Sequence, residues 1–198
     1  MATSSTFRKF VNRIVNSDIR NAIEALNGTA GTMTPVDLAV AGAATVGGAL
    51  TATGAIGGPR TVISGQGATR TLTAAESGAL CLFDRAAGIV YTLPAPVVGL
   101  TFDFIVTTTI TSNAAKVITD AGTTFLKGSY QEYDQDTSRA TAIRTGNGST
   151  HVSVSSNGTT TGGIAGSWLR FTCDSSTTWV VQGTMEATGA VASAFATS

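Results

Sequence analysis

Apolar and polar side chains alternate in short runs throughout residues 60–198, which is the pattern of β-strands separated by turns. The clearest run spans 100–110, where one face carries Leu100, Phe102, Phe104 and Val106. The runs 168–173 and 179–182 also alternate, and they predict a hairpin closed by a turn at 174–177. About 140 residues are enough for one compact core. We therefore predict a mainly β domain over 60–198, an antiparallel β-sandwich or jelly-roll-like barrel.

Residues 1–28 carry a different pattern, because their apolar side chains recur at spacings of three and four, as on one face of a helix. The members of this stripe are Phe7, Val11, Ile14, Ile19 and Leu26. The remaining surface is mildly basic and includes Arg8, Lys9 and Arg13. We expect an amphipathic helix, and two interpretations stay open. The helix docks on its own domain, or it docks on a partner or on its own copies, as in a short coiled-coil seam.

We predict an extended arm or linker over residues 29–59, which consist mainly of Gly, Ala and Thr and contain Asp37 as their only ionisable residue. Burying its larger apolar side chains, Val40, Val46 and Leu50 among them, yields on the order of 10–20 kcal/mol. Fixing its backbone costs on the order of 30–60 kcal/mol. Either the segment is a flexible linker, or the rest of the chain or other subunits hold it in place.

Composition and charge argue against several classes of function. The 12 Lys and Arg residues balance the 12 Asp and Glu residues, so no basic field is available to hold nucleic acid. No apolar run approaches the roughly 20 residues of a membrane span, and the charged N-terminus does not read as a signal peptide. Cys81 and Cys173 both lie in apolar runs, which favours buried free thiols and synthesis in a reducing cytoplasm.

The residues available for catalysis are few. His151 is the only histidine, so one chain cannot build a site with several histidines, and we expect it to be a surface histidine on a strand. The glycines of 159–166 lack the Lys-Ser/Thr of a phosphate-binding loop and are interpreted as turns. The sequence therefore predicts neither an enzyme nor a bound cofactor or metal.

One acidic cluster, within residues 130–138, combines carboxylates at alternate positions with two tyrosines. Its members are Tyr130, Glu132, Tyr133, Asp134 and Asp136. Such residues can bind Ca²⁺, act as a glycosidase pair, or contact a sugar or a protein. The favoured interpretation is the solvated face of an exposed loop, since the glycine and terminal glutamate of a calcium loop are missing.

Several short motifs resemble the β-domains of virion proteins of tailed bacteriophages. They are Arg70-Thr-Leu-Thr-Ala-Ala leading into Leu80-Cys-Leu-Phe, then Gly88-Ile-Val-Tyr-Thr-Leu-Pro94, Gly99-Leu-Thr-Phe, Trp168-Leu-Arg-Phe and Trp179-Val-Val-Gln-Gly. The stretch Val46-Gly-Gly-Ala-Leu-Thr-Ala-Thr-Gly is similar to segments of phage fibre shafts.

This resemblance implies a homotrimeric decoration (cement) protein on the outer surface of the capsid, bound to the major capsid protein and made in the host cytoplasm. Under that hypothesis the helix stripe, the basic residues beside it and the arm's Val40, Val46 and Leu50 contact the capsid or other subunits. The alternative is a head or tail fibre, or a receptor-binding module, that recognises a host glycan through the segment from Tyr130 to Asp136.

Overall fold

The computed structural model describes residues 60–136 and 140–198, which form two β-sheets packed face to face as a sandwich. The strands of this part of the chain are β1 (Val62–Ile63), β2 (Thr69–Thr71), β3 (Leu80–Phe83), β4 (Val90–Thr92), β5 (Thr101–Val106), β6 (Ala115–Ile118), β7 (Phe125–Asp134), β8 (Thr141–Asn147), β9 (Ser153–Ser156), β10 (Trp168–Cys173), β11 (Thr178–Ala187) and β12 (Phe195–Ala196). A single 3-10 turn, Ala74–Glu76, precedes β3. One sheet has the order β1-β3-β5-β10-β11-β7-β8, and the other has the order β12-β9-β6-β4-β2.

The first six strands wind as a coil between the two sheets. β1, β3 and β5 pair in parallel in the seven-stranded sheet, while β2, β4 and β6 pair in parallel in the five-stranded sheet. Each turn of the coil therefore places one strand in each layer, directly beside the equivalent strand of the previous turn. Leu72 and Leu93 follow β2 and β4 at equivalent places in this coil, and both are buried.

The later strands close the structure with antiparallel pairs and with one long parallel pair, between β11 and β7. The hairpin β10–β11 lies between β5 and β7, β8 folds back on β7, and β9 returns beside β6. The predicted hairpin is thus confirmed. The predicted purely antiparallel sheets are wrong, because half of the strand pairings in the described residues are parallel. Alternation within a strand reports which face is buried, and it carries no information about the direction of the neighbouring strand.

The core lies between the sheets and is dominated by aromatic rings. Tyr91 of the five-stranded sheet packs edge-on against Phe83 and Phe104 of the other sheet, with ring centroids 5.2 and 5.4 Å apart. Phe171 continues the cluster along β10, and Trp179 of β11 is fully buried. Alternate residues of each strand supply this core, so the opposite set forms the outer faces. The predicted helix over 1–28 and the arm over 29–59 lie outside the described residues.

Candidate functional surfaces

The acidic cluster lies mostly on β7 and not on an exposed loop. Tyr130, Glu132 and Asp134 are buried, whereas Tyr133 is 39% exposed and Asp136 lies in solvent beyond the strand. Residues two apart on a strand point to the same side, and here that side is the core. The expectation of an exposed loop is therefore wrong for the three buried residues, and the ring of Tyr130 packs against Phe195 instead.

Glu132 forms a buried ion pair with β8. Its Oε2 accepts a hydrogen bond of 2.8 Å from Nε of Arg144, whose Nη2 also donates to the backbone carbonyl of Val191 at 2.5 Å. The second carboxylate oxygen of Glu132 has no hydrogen-bond partner within the described residues. Burial raises the pKa of Glu132, and the guanidinium of Arg144 opposes that shift. The pair joins β7 to β8, and the bond to Val191 joins β8 to the C-terminal segment, so both act as structural elements.

An open cleft of about 570 Å³ lies at the end of β7. Its lining consists of Tyr133, Asp134, Gln135, Thr141 and Glu186. Two of its polar groups are already engaged, because Gln135 Nε2 donates to the carboxylate of Glu186 and the Tyr133 hydroxyl donates to Gln131 Oε1 at 2.8 Å. A tyrosine ring beside carboxylate, amide and hydroxyl groups suits a ligand that has both hydroxyls and an apolar face.

A second surface lies on the outer side of the seven-stranded sheet. We call it the outer-face patch, and its members are Val62, Leu80, Leu82, Ile105 and Trp168. Strand register places Leu82, Ile105 and Trp168 in one row across β3, β5 and β10. Val62 is 53% exposed and Trp168 is 41% exposed, while the other three are half-buried. Adjacent apolar side chains on the solvent side of a sheet are typical of a surface that another protein covers.

Asp103 lies beside this patch and is held by two arginines. Arg170 binds both of its carboxylate oxygens, Nε to Oδ1 at 2.7 Å and Nη2 to Oδ2 at 2.9 Å. Nη1 of Arg60 lies 2.7 Å from Oδ2. The hydrogen bonds from Arg170, followed by those from Arg60, lower the pKa of Asp103 despite its burial. In the sequence, Asp103 is distinguished only as a single acidic residue within an apolar strand. Its arginine partners cannot be assigned from the sequence, because they depend on the order of the strands in the sheet.

His151 and the two cysteines are not members of these surfaces, and Cys81 faces the core from the strand β3 that carries Leu80 and Leu82. His151 precedes β9, so the expectation that it lies on a strand is wrong. Its Nδ1 accepts the Asn147 backbone N–H at 3.2 Å, and its ring stacks on Phe195. Cys81 and Cys173 are buried and unpaired, as expected, and burial raises the pKa of Cys81 to about 12. These positions explain why neither thiol is placed to act as a nucleophile.

The described ranges contain neither a cluster of metal ligands nor a helix that could span a membrane. No group of three or more His, Cys, Asp or Glu side chains in 60–136 and 140–198 is arranged to hold a metal ion. No helix in those ranges is long and apolar enough to cross a membrane. The predicted interface residues from Phe7 to Leu50 lie outside them, so the capsid-contact prediction stays a prediction. Comparison with protein-family models, with curated proteins and with solved structures finds no significant match.

Proposed function

We propose that this chain is a non-enzymatic structural protein of a bacteriophage virion, a homotrimeric decoration protein that binds the major capsid protein lattice on the outer surface of the head. The observation that carries the proposal is the outer-face patch, which lies on a body with few charges. The resemblance of the motifs at 70–106 and 168–183 to virion β-domains is the second argument for the proposal. A low-charge sandwich with an uncovered aliphatic and aromatic face suits repeated contact between subunits.

The patch has the composition of an interface core. Trp168 presents a large apolar area with one polar group at its edge, which is the kind of side chain that dominates binding energy at interfaces. The carboxylate beside it is paired, because Arg60 and Arg170 both bind Asp103. Covering the patch therefore leaves no buried carboxylate without a partner, which is the main cost of burying charged groups.

Attachment to the head is assigned to the predicted N-terminal helix and arm, which lie outside the described residues. A trimer carries three copies of each arm, so individually weak contacts act together once one arm is bound. The stripe from Phe7 to Leu26 and the arm residues Val40, Val46 and Leu50 are the proposed contacts. In this proposal the β-domain forms the contacts around the threefold axis, and the arms bind the capsid lattice.

The test combines oligomeric state with particle binding. Trp168→Glu places a charge on the most extensive apolar side chain of the patch while leaving the core unchanged, so we expect it to convert a trimer into monomers and to weaken binding to undecorated heads at least tenfold. Val98→Glu is the matched control, because Val98 is 68% exposed in the loop before β5 and lies outside the patch. A decoration protein also predicts hundreds of copies per particle by quantitative mass spectrometry. A handful of copies, or a monomeric unsubstituted protein, contradicts the proposal.

The cleft at the end of β7 favours a second candidate function, a receptor-binding module for a surface glycan. A sugar would stack on the exposed ring of Tyr133 and direct its hydroxyls to Glu186 and Thr141. Glycan-array binding that is lost in Tyr133→Ala and kept in Tyr133→Phe supports this alternative, since the phenyl ring preserves stacking. Absence of specific glycan binding, together with a high copy number, favours the decoration role.

A further inference from the structure

The two sheets have four edge strands, and they differ in length. β1 and β12 have two residues each, and β2 has three. β8 has seven residues, Thr141–Asn147, and within the described residues it pairs with β7 alone. Very short edge strands offer few free backbone groups to another chain, so β8 is the only long edge among these strands.

The backbone hydrogen bonds among residues 60–136 and 140–198 show which groups of β8 have no partner there. Asp134 N–H donates to the carbonyl of Ala140, and Gly148 N–H donates to that of Leu126, both at 2.9 Å. Paired residues alternate along an antiparallel ladder, so the even-numbered residues of β8 face β7. The backbone N–H and C=O groups of Thr141, Ile143 and Thr145 therefore point away from the sheet.

This edge lacks the features that usually prevent strand addition. β8 contains no proline, and its single charged residue, Arg144, turns its guanidinium towards Glu132 on the core side. The outward side chains of the three unpaired residues are uncharged, and Ile143 is 68% exposed. Natural edge strands are commonly protected by outward charge, proline or a bulge, and here each of these is missing.

We propose that β8 is a self-association edge that pairs antiparallel with β8 of a second copy of this chain. The twofold axis passes beside Ile143, so Ile143 faces Ile143 of the second copy, and Thr141 faces Thr145 of that copy. Three hydrogen-bonded pairs then contribute six main-chain hydrogen bonds.

A second copy fits this edge because the strand is complementary to itself. A twofold axis places identical strands together, and each brings only threonine and isoleucine side chains to the contact. Both Arg144 side chains face away from the contact, into their own subunits, and the chain has no net charge to drive copies apart. The contact is distinct from the threefold contact proposed for the outer-face patch, and it does not depend on a role in a virion.

The first test is chemical cross-linking of the full-length protein. In a hydrogen-bonded antiparallel pair the two Cα atoms lie about 5.5 Å apart, close enough for a short reagent with two thiol-reactive groups to join two cysteines. We expect such a reagent to cross-link Ile143→Cys into a dimer at least tenfold faster than Val98→Cys, whose site is equally exposed. The buried native thiols keep the background low. Equal rates for the two variants would overturn the proposal.

The second test follows backbone amides in the unsubstituted protein. On raising the protein concentration, hydrogen exchange at Ile143 and Thr145 should slow at least tenfold, while the Arg144 amide, already bonded to β7, should not change. Ile143→Pro removes an outward donor without breaking the ladder to β7, and it should abolish the concentration dependence. Exchange that is fast at every concentration, or protected at every concentration, overturns the proposal. Trp168→Glu separates it from the proposed trimer, because that variant should keep the Ile143→Cys cross-link.

Discussion

Replacing Arg144 with methionine tests the buried ion pair directly. Methionine keeps most of the aliphatic volume of arginine but removes the cation that faces Glu132, whose side chain has no exposed surface. The carboxylate would then remain buried with neither a charge partner nor access to water. A buried charge that loses its only partner destabilises a fold by about 3–5 kcal/mol.

Protonation of Glu132 sets an upper limit on that cost. From an unfolded pKa of about 4.3, taking up a proton at pH 7 costs about 3.7 kcal/mol, and at pH 5 about 1 kcal/mol. The lost bond to the carbonyl of Val191 adds about 1 kcal/mol at either pH. We therefore expect Arg144→Met to lower the free energy of unfolding by up to about 4–5 kcal/mol at pH 7 and by up to about 2 kcal/mol at pH 5.

The sign of the pH dependence follows from proton binding. Burial already raises the folded pKa of Glu132 in the unsubstituted protein, and losing Arg144 raises it further, so between these two folded values the variant binds more protons in its folded state than the unsubstituted protein does. Stability relative to the unsubstituted protein is then lost as pH rises through this window and regained as pH falls. Urea unfolding at pH 5, 6, 7 and 8 measures the difference, with the fluorescence of the fully buried Trp179 as the signal.

Two further variants serve as controls for the effect of Arg144→Met on stability. Arg85→Met changes an exposed arginine and should alter stability by less than about 0.5 kcal/mol at every pH. The double variant Glu132→Gln with Arg144→Met has no ionisable group at position 132 and should lose the part of the pH dependence that comes from Glu132. A destabilisation of Arg144→Met below about 1 kcal/mol at pH 7, or one that does not change with pH, would refute the reasoning.

Three other outcomes are expected. Asp103→Asn should destabilise by about 1–3 kcal/mol at pH 7, and the loss should shrink as pH falls below about 4, because the folded pKa of Asp103 lies below its unfolded value; urea unfolding at several pH values checks this. Gly158→Ala should lower the thermal midpoint far more than Gly65→Ala: both residues have positive φ, but a Cβ at Gly158 would lie 1.8 Å from the Ile110 carbonyl oxygen, whereas one at Gly65 meets nothing. Cys81 and Cys173 should react with a thiol reagent only after unfolding, and rapid labelling of the native protein would contradict their burial.

The sequence predicts the fold class and the local hairpin, because both depend on short-range patterns. Alternation identified the core residues of β5, and the turn at 174–177 connects β10 to β11 as expected. The coil of parallel strands was missed, although Leu72 and Leu93 occupy equivalent places 21 residues apart and end two strands that pair in register. Repeats of unequal length hide this signal, since the register shift varies from 18 to 26 residues between turns of the coil.

The acidic cluster shows why the candidate sites were harder to predict. Glu132 and Asp134 alternate with polar residues, so nothing in their own segment distinguishes a solvated face from a buried one. The deciding partner of Glu132 is Arg144 on the next strand, which makes burial of that carboxylate tolerable. Charge pairing across strands depends on register, and register is set by the whole sheet.

The location of both proposed contacts follows from the way this sheet is assembled. Strands added by the coil, β1, β3 and β5, carry apolar residues on both faces, as parallel strands do when something covers each side. Strands added as a hairpin, β7 and β8, carry mainly polar residues outward, so their half of the sheet can face water. The coil half, to which β10 adds Trp168 beside β5, therefore presents an apolar face that a partner would cover. The hairpin half ends the sheet at β8, whose outward backbone groups have no partner within the described residues. A surface contact at Trp168 and an edge contact at Ile143 are, on this argument, separate consequences of one topology, and substitution at either site should leave the other contact intact.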